Sequence, residues 1–250
     1  MITYRTAQIA ALVGVHPNTV RFYETMGLLP PIPRSSSGYR RFDDRHLAQL
    51  RLLRTAFRAE IISDRLRQEV YAIVKRAAAG DLAMAGRDAE RYLNHLREEK
   101  DRAEEAIQIT LAILQPIAGL NEAVGEYASR NQVAADLGIT ADVLRDWERN
   151  GLIQVPRQTN GYRKYAGPEI RRLKIIRTLR HAHYSMMAIL RMLNRLDQGE
   201  SDIRTAIDTP DEQEDIVSAA DRYITALSLA EQDACAMLAQ LTGMLAAGAG

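Results

Sequence analysis

The spacing of apolar residues predicts a chain built almost entirely of helices. Leu47, Leu50 and Leu53 recur at helical spacing after Asp43, which predicts a helix that this aspartate caps. Shorter apolar stretches come before it, separated by single glycines and followed by a segment rich in Pro and Ser. Because proline breaks helices, this order predicts helix, turn, helix and a two-stranded wing with its tip at Ser35–Gly38.

The threonine, proline and glycine residues between these stretches predict where the first two helices begin and end. The first is expected over residues 7–13, with Thr6 as its N-cap. Pro17 suits the first turn of the second helix, which is expected to stop at Gly27. Farther along the chain, Thr140 occupies the corresponding N-cap position of a second such pattern.

The same pattern occurs twice in the chain. Residues 8–29 align with residues 132–153, and "SGYRRFDDRHL" (37–47) aligns with "NGYRKYAGPEI" (160–170). A period of more than 120 residues indicates a duplicated domain rather than a solenoid repeat. We call residues 1–80 the first head and residues 125–200 the second head.

A longer amphipathic helix is predicted after each head, over residues 81–120 and residues 211–247. Steps of three and four residues define a coiled-coil seam in the first helix, at Leu93, Leu96, Lys100, Ala103, Ile107, Thr110, Leu114 and Ile117. The second helix has such a seam at Val217, Ala220, Ile224, Leu227, Glu231, Ala234, Leu238, Leu241 and Leu245. The fold class is therefore mainly α, with two winged helix-turn-helix domains, each followed by a long coiled-coil helix.

Charge is distributed unevenly along the 250 residues, although the net charge is only +1. Residues 1–60 hold 9 basic against 4 acidic side chains, and residues 129–195 hold 13 against 5. The remainder is acidic, with 11 basic against 23 acidic side chains. Two basic blocks favour a polyanionic partner, of which nucleic acid is the commonest, although solvated basic faces would give the same counts.

Several classes of protein are disfavoured by what the sequence lacks. It has neither a run of 18 apolar residues nor a signal peptide, so we expect a cytoplasmic protein without a membrane span. The single Cys235 follows the seam residue Ala234 and is expected to be a buried structural thiol, with a redox sensor as the alternative. His181 and His183 point to different helix faces, so no metal site or cofactor is expected. No enzyme motif is present, so the protein is not expected to be an enzyme.

Two stretches carry a resemblance to a known family. "VRFYETMGLLPPIPRSSSGYRRFDDRHLAQLRLLR" (20–54) and "LRDWERNGLIQVPRQTNGYRKYAGPEIRRLKIIR" (144–177) resemble the MerR family of bacterial transcription regulators. The family signature is Arg-Tyr-Tyr-Glu, then Gly-Leu, then a wing ending in Gly-Tyr-Arg-x-Tyr. The resemblance covers about 60 residues in each half. It implies a winged helix-turn-helix that binds double-stranded promoter DNA, distorts a pseudo-palindromic element and so lets RNA polymerase engage the promoter.

The resemblance also implies which side chains contact DNA. Residues near the start of the second helix are expected to read bases, namely Pro17, Asn18 and Thr19, with Asp142 and Val143 in the second copy. Backbone contacts are expected from Arg21, Phe22, Tyr23, Arg34, Tyr39, Arg40, Arg41, Arg145, Trp147, Arg157, Tyr162, Arg163 and Lys164. The two heads are expected to prefer different half-sites.

The second copy departs from the signature at two adjacent positions. Asp146-Trp147 stands where the first copy has Phe22-Tyr23. A carboxylate facing DNA repels phosphate, and the indole lacks the tyrosine hydroxyl. The second head is therefore expected to bind DNA weakly, or else to be an interaction or packing module.

The partners of the chain stay open in two respects. In the family a long helix pairs antiparallel with that of a second subunit, so both a single-chain pseudo-dimer and a homodimer with four heads are possible. Pairing of Lys100 with Glu231 would favour the pseudo-dimer. A small-molecule effector would bind between the heads and the long helices, at a pocket lined by Trp147, Tyr184, Met186, Met187 and Met192. The rival functions are a drug-sequestering protein and an architectural DNA-bending protein.

Overall fold

The computed structural model describes residues 3–58, 63–115, 128–157, 163–210 and 219–248. The chain divides into two compact units. Unit 1 comprises Met1–Glu98 and Ala226–Gly250, and unit 2 comprises Glu99–Thr225. The fold is mainly helical, as the sequence predicts.

The first head contributes four helices to unit 1, and the first long helix follows them. They are α1 (Thr6–Leu12), α2 (Pro17–Thr25), α3 (Asp44–Ala56), α4 (Asp64–Ala78) and the long α5 (Leu82–Leu114). The second head and the segment after it form α6 (Arg130–Asp136), α7 (Ala141–Arg149), α8 (Gly167–His181), α9 (Met186–Asp197) and α10 (Ile203–Asp208). A short 3-10 turn, Ala219–Arg222, then leads into the long α11 (Tyr223–Gly248).

The helix caps agree with the sequence at most positions. Thr140 accepts a hydrogen bond from the Val143 amide at 3.2 Å, which confirms it as the N-cap of α7. The prediction that Thr6 caps α1 is wrong, because Thr6 is already the first helical residue and Arg5 is the N-cap. The Arg5 amide donates to the side chain of Gln8 at 2.8 Å, which is the reciprocal bond that an N3 glutamine makes in a capping box.

The two heads bury matching residues. Each head packs the inner faces of its first three helices around side chains that the repeat aligns. The fully or almost fully buried pairs are Ile9/Val133, Val20/Leu144, Leu28/Leu152, Leu50/Leu173 and Leu53/Ile176. The same apolar positions therefore build the same small core twice.

The segment after the second helix of each head folds back through an isolated antiparallel bridge, so the described residues form the predicted wing without regular strands. Antiparallel bridges join Arg34 to Arg40 in the first head and Arg157 to Arg163 in the second. In the first wing, the Ser35 amide donates to the Tyr39 carbonyl at 2.8 Å. Gly38 has φ +82, a conformation that favours glycine and lets the chain reverse at the tip.

The long helices bury most of the predicted seams. The buried seam residues include Leu93, Leu96, Ala103, Ile107, Thr110, Ile224, Leu227, Ala234 and Leu241. Leu245 is 48% exposed, so the seam prediction is wrong there, in the last turns of α11. Ile117 and Val217 lie outside the described residues, as does the predicted helix start at 211–218.

The two long helices contact each other within one chain. In unit 1, Arg97 of α5 donates to Glu231 of α11 at 2.9 Å. Arg97 lies three residues before Lys100 on α5, so Glu231 contacts the part of the first seam at which the sequence predicted it to pair. In unit 2, the hydroxyl of Tyr223 donates to Glu99 at 3.1 Å. Both helices therefore supply residues to each unit.

Each head also packs against the long helix that does not follow it. In unit 1, Gln240 of α11 donates to the Thr55 hydroxyl of α3 at 3.0 Å. In unit 2, the buried Tyr184 donates through its hydroxyl to the Ala103 carbonyl of α5 at 3.3 Å.

Among the helices that the structure describes, none is long and apolar enough to cross a bilayer.

Candidate nucleic-acid interface

The second helix of the first head exposes one polar face. Val20 of α2 is fully buried, so this helix is fixed on the core by one side. Asn18 and Arg21 are exposed on the other side, and Arg21 donates to the Asn18 side chain at 2.9 Å. Thr19 is half-buried and Phe22 is 56% exposed. A guanidinium beside a neutral amide keeps its charge available to a phosphate.

The first wing projects an aromatic and a basic side chain. Tyr39 is 73% exposed and Arg41 is also exposed. Arg34 is exposed too, but it donates to the Gly38 carbonyl at 3.2 Å and so supports the turn at the tip. Hydroxyl and guanidinium groups on such a wing can donate hydrogen bonds to phosphate oxygens.

An ion pair joins the wing to the second helix in both heads. Arg40 lies 2.7 Å from Glu24, and Arg163 lies 3.2 Å from Glu148. Sequence reasoning gave Arg40 and Arg163 a contact to phosphate and missed this role. The signal was present, because both partners of the pair recur in the repeat. The two arginines therefore set the position of the wing, and the exposed Arg41 is the freer charge.

The glutamate of the second head is held more tightly than that of the first. Glu148 accepts from Arg130 at 3.0 Å and from the hydroxyl of Tyr165, in addition to Arg163. Its side chain is only 6% exposed. Burial and the hydrogen bond to Glu148 raise the pKa of Tyr165 to about 12, so the phenol stays protonated.

The second helix of the second head carries carboxylates that form ion pairs with its arginines. Asp142 and Asp146 keep 80% and 57% of their side chains exposed. Arg145 lies 2.6 Å from Asp142, and Arg149 lies 3.4 Å from Asp146. In the first head the partner of the matching Arg21 is a neutral amide. The α7 face is therefore less positive than the α2 face, as the sequence suggested.

The aromatic positions of the two heads also differ. Tyr23 is half-buried, with its ring centre 6.2 Å from that of Phe22 and 6.4 Å from that of Phe57. Burial raises the pKa of Tyr23, so its hydroxyl remains a donor. Trp147 is only 5% exposed and belongs to the core of the second head. The expectation that its indole contacts phosphate is therefore corrected, because the structure makes Trp147 a packing residue.

The remaining predicted contacts lie on the second wing and the helix beside it. Val143 is 38% exposed on α7, and Arg157 is exposed at the start of the wing. Lys164 is half-buried. Tyr162 lies outside the described residues, together with the tip of this wing.

The structure brings together only two of the five residues predicted to form an effector pocket. Trp147 and Met186 line an open cleft of about 540 Å³ in the second head. The other three do not line this cleft. Tyr184 is fully buried, with its ring centre 5.3 Å from that of Tyr223, and Met192 is core. Met187 is 54% exposed on the outer face of α9.

Cys235 is exposed, so the expectation of a buried thiol is also wrong. Its neighbour Ala234 is fully buried, and one residue farther along a helix turns a side chain by about 100°. Within the described residues, no three His, Cys, Asp or Glu side chains form a group that would hold a metal ion.

Comparison with known proteins agrees with this geometry. Residues 129–196 match the profile of the "MerR HTH family regulatory protein", and residues 5–42 match that of the "MerR family regulatory protein". The HTH-type transcriptional regulator MerD of Acinetobacter calcoaceticus is 38% identical over 107 residues, which are 43% of this chain and 82% of MerD. The chain belongs to the MerR family. It is a DNA-binding transcriptional regulator with two helix-turn-helix units.

Other members of the MerR family match shorter parts of the chain. An HTH-type transcriptional regulator of Haemophilus influenzae is 46% identical over 52 residues, 21% of this chain and 38% of that protein. The crystal structure of HiNmlR, a MerR family regulator lacking the sensor domain and bound to promoter DNA, is 25% identical. It covers 57% of this chain and 96% of that chain with a TM-score of 0.28. Proteins of this family are transcriptional regulators rather than enzymes.

Proposed function

We propose that this MerR-family chain binds one pseudo-palindromic promoter element with both heads and distorts it. The observation that carries the proposal is the repeated ion pair between helix and wing, Glu24–Arg40 and Glu148–Arg163. Each pair holds a helix and a wing in one geometry. Two such surfaces on one chain fit the two halves of one operator.

The contacts of the long helices favour a single-chain pseudo-dimer. Arg97 pairs with Glu231 in unit 1, and Glu99 pairs with Tyr223 in unit 2. A separate subunit would be needed to supply a second long helix if one chain carried only one. Here both helices are in the same chain, so one copy suffices for two heads. A homodimer with four heads is the alternative.

Distortion of the DNA and engagement of RNA polymerase follow from the family resemblance. Bending a short site by 40–90° costs on the order of 1–6 kcal/mol. Phosphate contacts from two heads offset such a cost, and Arg21, Tyr39 and Arg41 are exposed and suited to them. A regulator of promoters works beside the chromosome, so we place the protein in the bacterial cytoplasm.

The two heads contribute unequally in this proposal. Arg21 beside Asn18 retains its full charge, whereas Arg145 beside Asp142 is partly neutralised. The first head therefore supplies most of the affinity. The second head reads a different half-site, with Asp142 and Val143 at the places of Asn18 and Thr19. Duplication within one chain permits this asymmetry, which a symmetric homodimer does not allow.

The test begins with DNA selected from a random pool by the purified full chain. Binding to the selected site is then measured for Arg21→Gln and Arg145→Gln, with Arg87→Gln on α5 as the matched control. Arg87 is exposed and lies outside both heads. We expect Arg21→Gln to weaken binding about tenfold or more and Arg145→Gln to weaken it less, because a charged hydrogen bond contributes roughly 1.5–3 kcal/mol.

Light scattering on the same samples tests the stoichiometry. A mass near 28.0 kDa and one chain per duplex are expected for the pseudo-dimer. Twice that mass would instead mean four heads. No effect of either arginine variant would refute DNA binding through these helices, and equal affinity for unrelated duplexes would indicate an architectural DNA-bending protein.

A further inference from the structure

The second head contains a cleft that DNA binding does not account for. It has a volume of about 540 Å³ and lies between α7 and the end of α8. Trp147, Ile139 and Met186 provide apolar surface. The charged lining consists of Arg177, Arg180 and His181 on the α8 side and the carboxylate of Asp146 on α7, which lies 3.4 Å from Arg149. We propose that this cleft binds a planar aromatic carboxylate and that the bound ligand weakens contact of the second head with DNA.

The first head fills the corresponding part of its fold with aromatic rings. There, Phe57 packs with its ring centre 6.4 Å from that of Tyr23 and 6.3 Å from that of Tyr71. In the repeat, Arg180 stands at the place of Phe57. Its guanidinium donates to the Tyr184 carbonyl at 2.6 Å, and so turns towards the end of its own helix. Arg180 still lines the cleft, but a linear side chain whose guanidinium is held at Tyr184 fills less of the space beside Trp147 than a packed ring does.

The turn next to the cleft has an unusual backbone. His183 has φ +69, and no other non-glycine residue described by the structure has a positive φ. Its amide donates to the Arg180 carbonyl and the Tyr184 amide donates to the Leu179 carbonyl, each at 3.1 Å, which is the helix-ending arrangement that glycine usually adopts. Left-handed backbone at a residue other than glycine costs free energy and often lies beside functional sites.

The chemistry of the walls selects the class of ligand. The volume is in the range of sites for small organic molecules, roughly 300–1,000 Å³. An indole edge and aliphatic side chains favour a flat apolar ring. Arg177 is exposed on the opposite wall, where a guanidinium can donate two parallel hydrogen bonds to a carboxylate. An aromatic ring that bears one carboxylate satisfies both walls.

Val143 links this cleft to the DNA-binding surface. It lines the cleft and is 38% exposed on α7, where the proposed function makes it a base reader. A ligand that covers Val143 prevents this side chain from contacting DNA. Because coupling between two ligands is reciprocal, DNA bound at the second head should lower the affinity for the aromatic ligand by the same factor by which the ligand lowers the affinity for DNA. This coupling rests on the proposed function, whereas the ligand site itself does not.

Trp147 is the only tryptophan in the chain, so tryptophan fluorescence reports on ligand bound near this residue, and the Arg177 variant described below assigns the signal to the cleft. We would titrate the full chain, without DNA, with 2-naphthoate, and in parallel with the neutral 2-naphthylmethanol. Calorimetry gives the affinity independently of optical effects. The expected result is saturable quenching of Trp147 by naphthoate, with the alcohol binding about tenfold more weakly because it lacks the charge.

Two matched variants on α8 test the assignment. Arg177→Gln removes the exposed guanidinium that is proposed to bind the carboxylate, and Lys174→Gln removes an exposed cation from the same helix outside the cleft. We expect Arg177→Gln to lower the affinity for naphthoate about tenfold and Lys174→Gln to leave that affinity unchanged. Circular dichroism confirms that both variants are folded.

Three results would overturn the proposal. The first is absence of saturable naphthoate binding by the wild-type chain. The second is equal loss in the two variants, or equal binding of the alcohol. The third is a loss of DNA affinity in Arg177→Gln with no naphthoate binding in any protein, which would assign the cleft to the DNA backbone. A ligand that binds but leaves DNA affinity unchanged would overturn only the coupling.

Discussion

Glu24 of α2 and Arg40 of the first wing lie 2.7 Å apart, and each keeps 27% of its side chain exposed. The copy of this pair, Glu148 with Arg163, lies 3.2 Å apart, but there the glutamate is only 6% exposed. The wing is thus fastened to its helix by the same chemistry in both heads. The degree of burial differs, and this difference sets how much each pair contributes to stability.

Removing the charge of the two glutamates should have unequal effects. Glu24→Gln breaks a partly exposed pair and should lower the free energy of unfolding by about 1 kcal/mol or less. Glu148→Gln leaves Arg130 and Arg163 around a buried neutral amide and should cost about 3 kcal/mol. Hydrogen exchange resolved by peptide measures each head separately.

A double-mutant cycle gives the control for this comparison. Glu24→Gln with Arg40→Gln isolates the coupling energy of the first pair, and Glu148→Gln with Arg163→Gln isolates that of the second. Equal coupling energies in the two heads would contradict the role assigned to burial.

Asp142 should limit the affinity of the second head for DNA. It lies 2.6 Å from Arg145, and 80% of its side chain is exposed. Asp142→Asn restores the first head's arrangement of asparagine and arginine. We expect tighter binding to the selected duplex, by several-fold at low salt, and a slope of log K against log salt steeper by about 0.9, because Arg145 would then displace one more counterion.

Asp136→Asn provides the matched control, since Asp136 is also exposed but lies at the end of α6. It should change neither the affinity nor the slope by as much. Tighter binding of similar size in the two variants would show that the general charge of the head matters rather than the pairing of Arg145.

Cys235 should react in the native protein. Its exposure on α11 predicts that a thiol reagent titrates one equivalent without denaturant, and that Cys235→Ala changes the free energy of unfolding by less than about 0.5 kcal/mol. Urea-unfolded protein supplies the reference for full reactivity. If the thiol does not react with the reagent in native buffer, the exposure of Cys235 is contradicted and the thiol is buried.

The sequence was most informative where a pattern is repeated. The matching of Ile9 with Val133 and of Leu50 with Leu173 predicted two copies of one small core, and each of these residues is buried. The caps at Asp43 and Thr140 are not repeated but were predictable for another reason, because local hydrogen bonding of short polar side chains is a property of a few neighbouring residues.

Predictions failed where the outcome depends on distant parts of the chain. Helical spacing placed Cys235 beside a seam residue but did not resolve which way its side chain turns. Tyr184 was expected to line a pocket, but it is buried against Tyr223 and the α5 carbonyl of Ala103, contacts that local sequence does not encode. The role of Arg40 was missed because its partner is 16 residues away.

Acid should weaken the first head through Asp43. This carboxylate accepts from the amides of Arg45 and His46 at 3.1 and 3.2 Å, and caps α3. Burial raises its pKa, but the hydrogen bonds from Arg45 and His46 outweigh burial and lower the pKa to about 2. A carboxyl with a folded pKa below its ordinary 3.8 stabilises the fold above pH 3.8 and loses that contribution as the pH falls towards 2.

The second head offers a comparison, because Ala166 occupies the matching position and α8 has no side-chain cap. Asp43→Asn should retain a cap while removing the pH dependence between about 4 and 2. Ala166→Asp should stabilise the second head by about 1 kcal/mol at neutral pH and introduce an acid sensitivity there. Thermal unfolding of the three proteins across this pH range measures both effects. If the difference between wild type and Asp43→Asn is the same at pH 2 and pH 5, Asp43 does not contribute through its charge, and the acid sensitivity of the first head has another source.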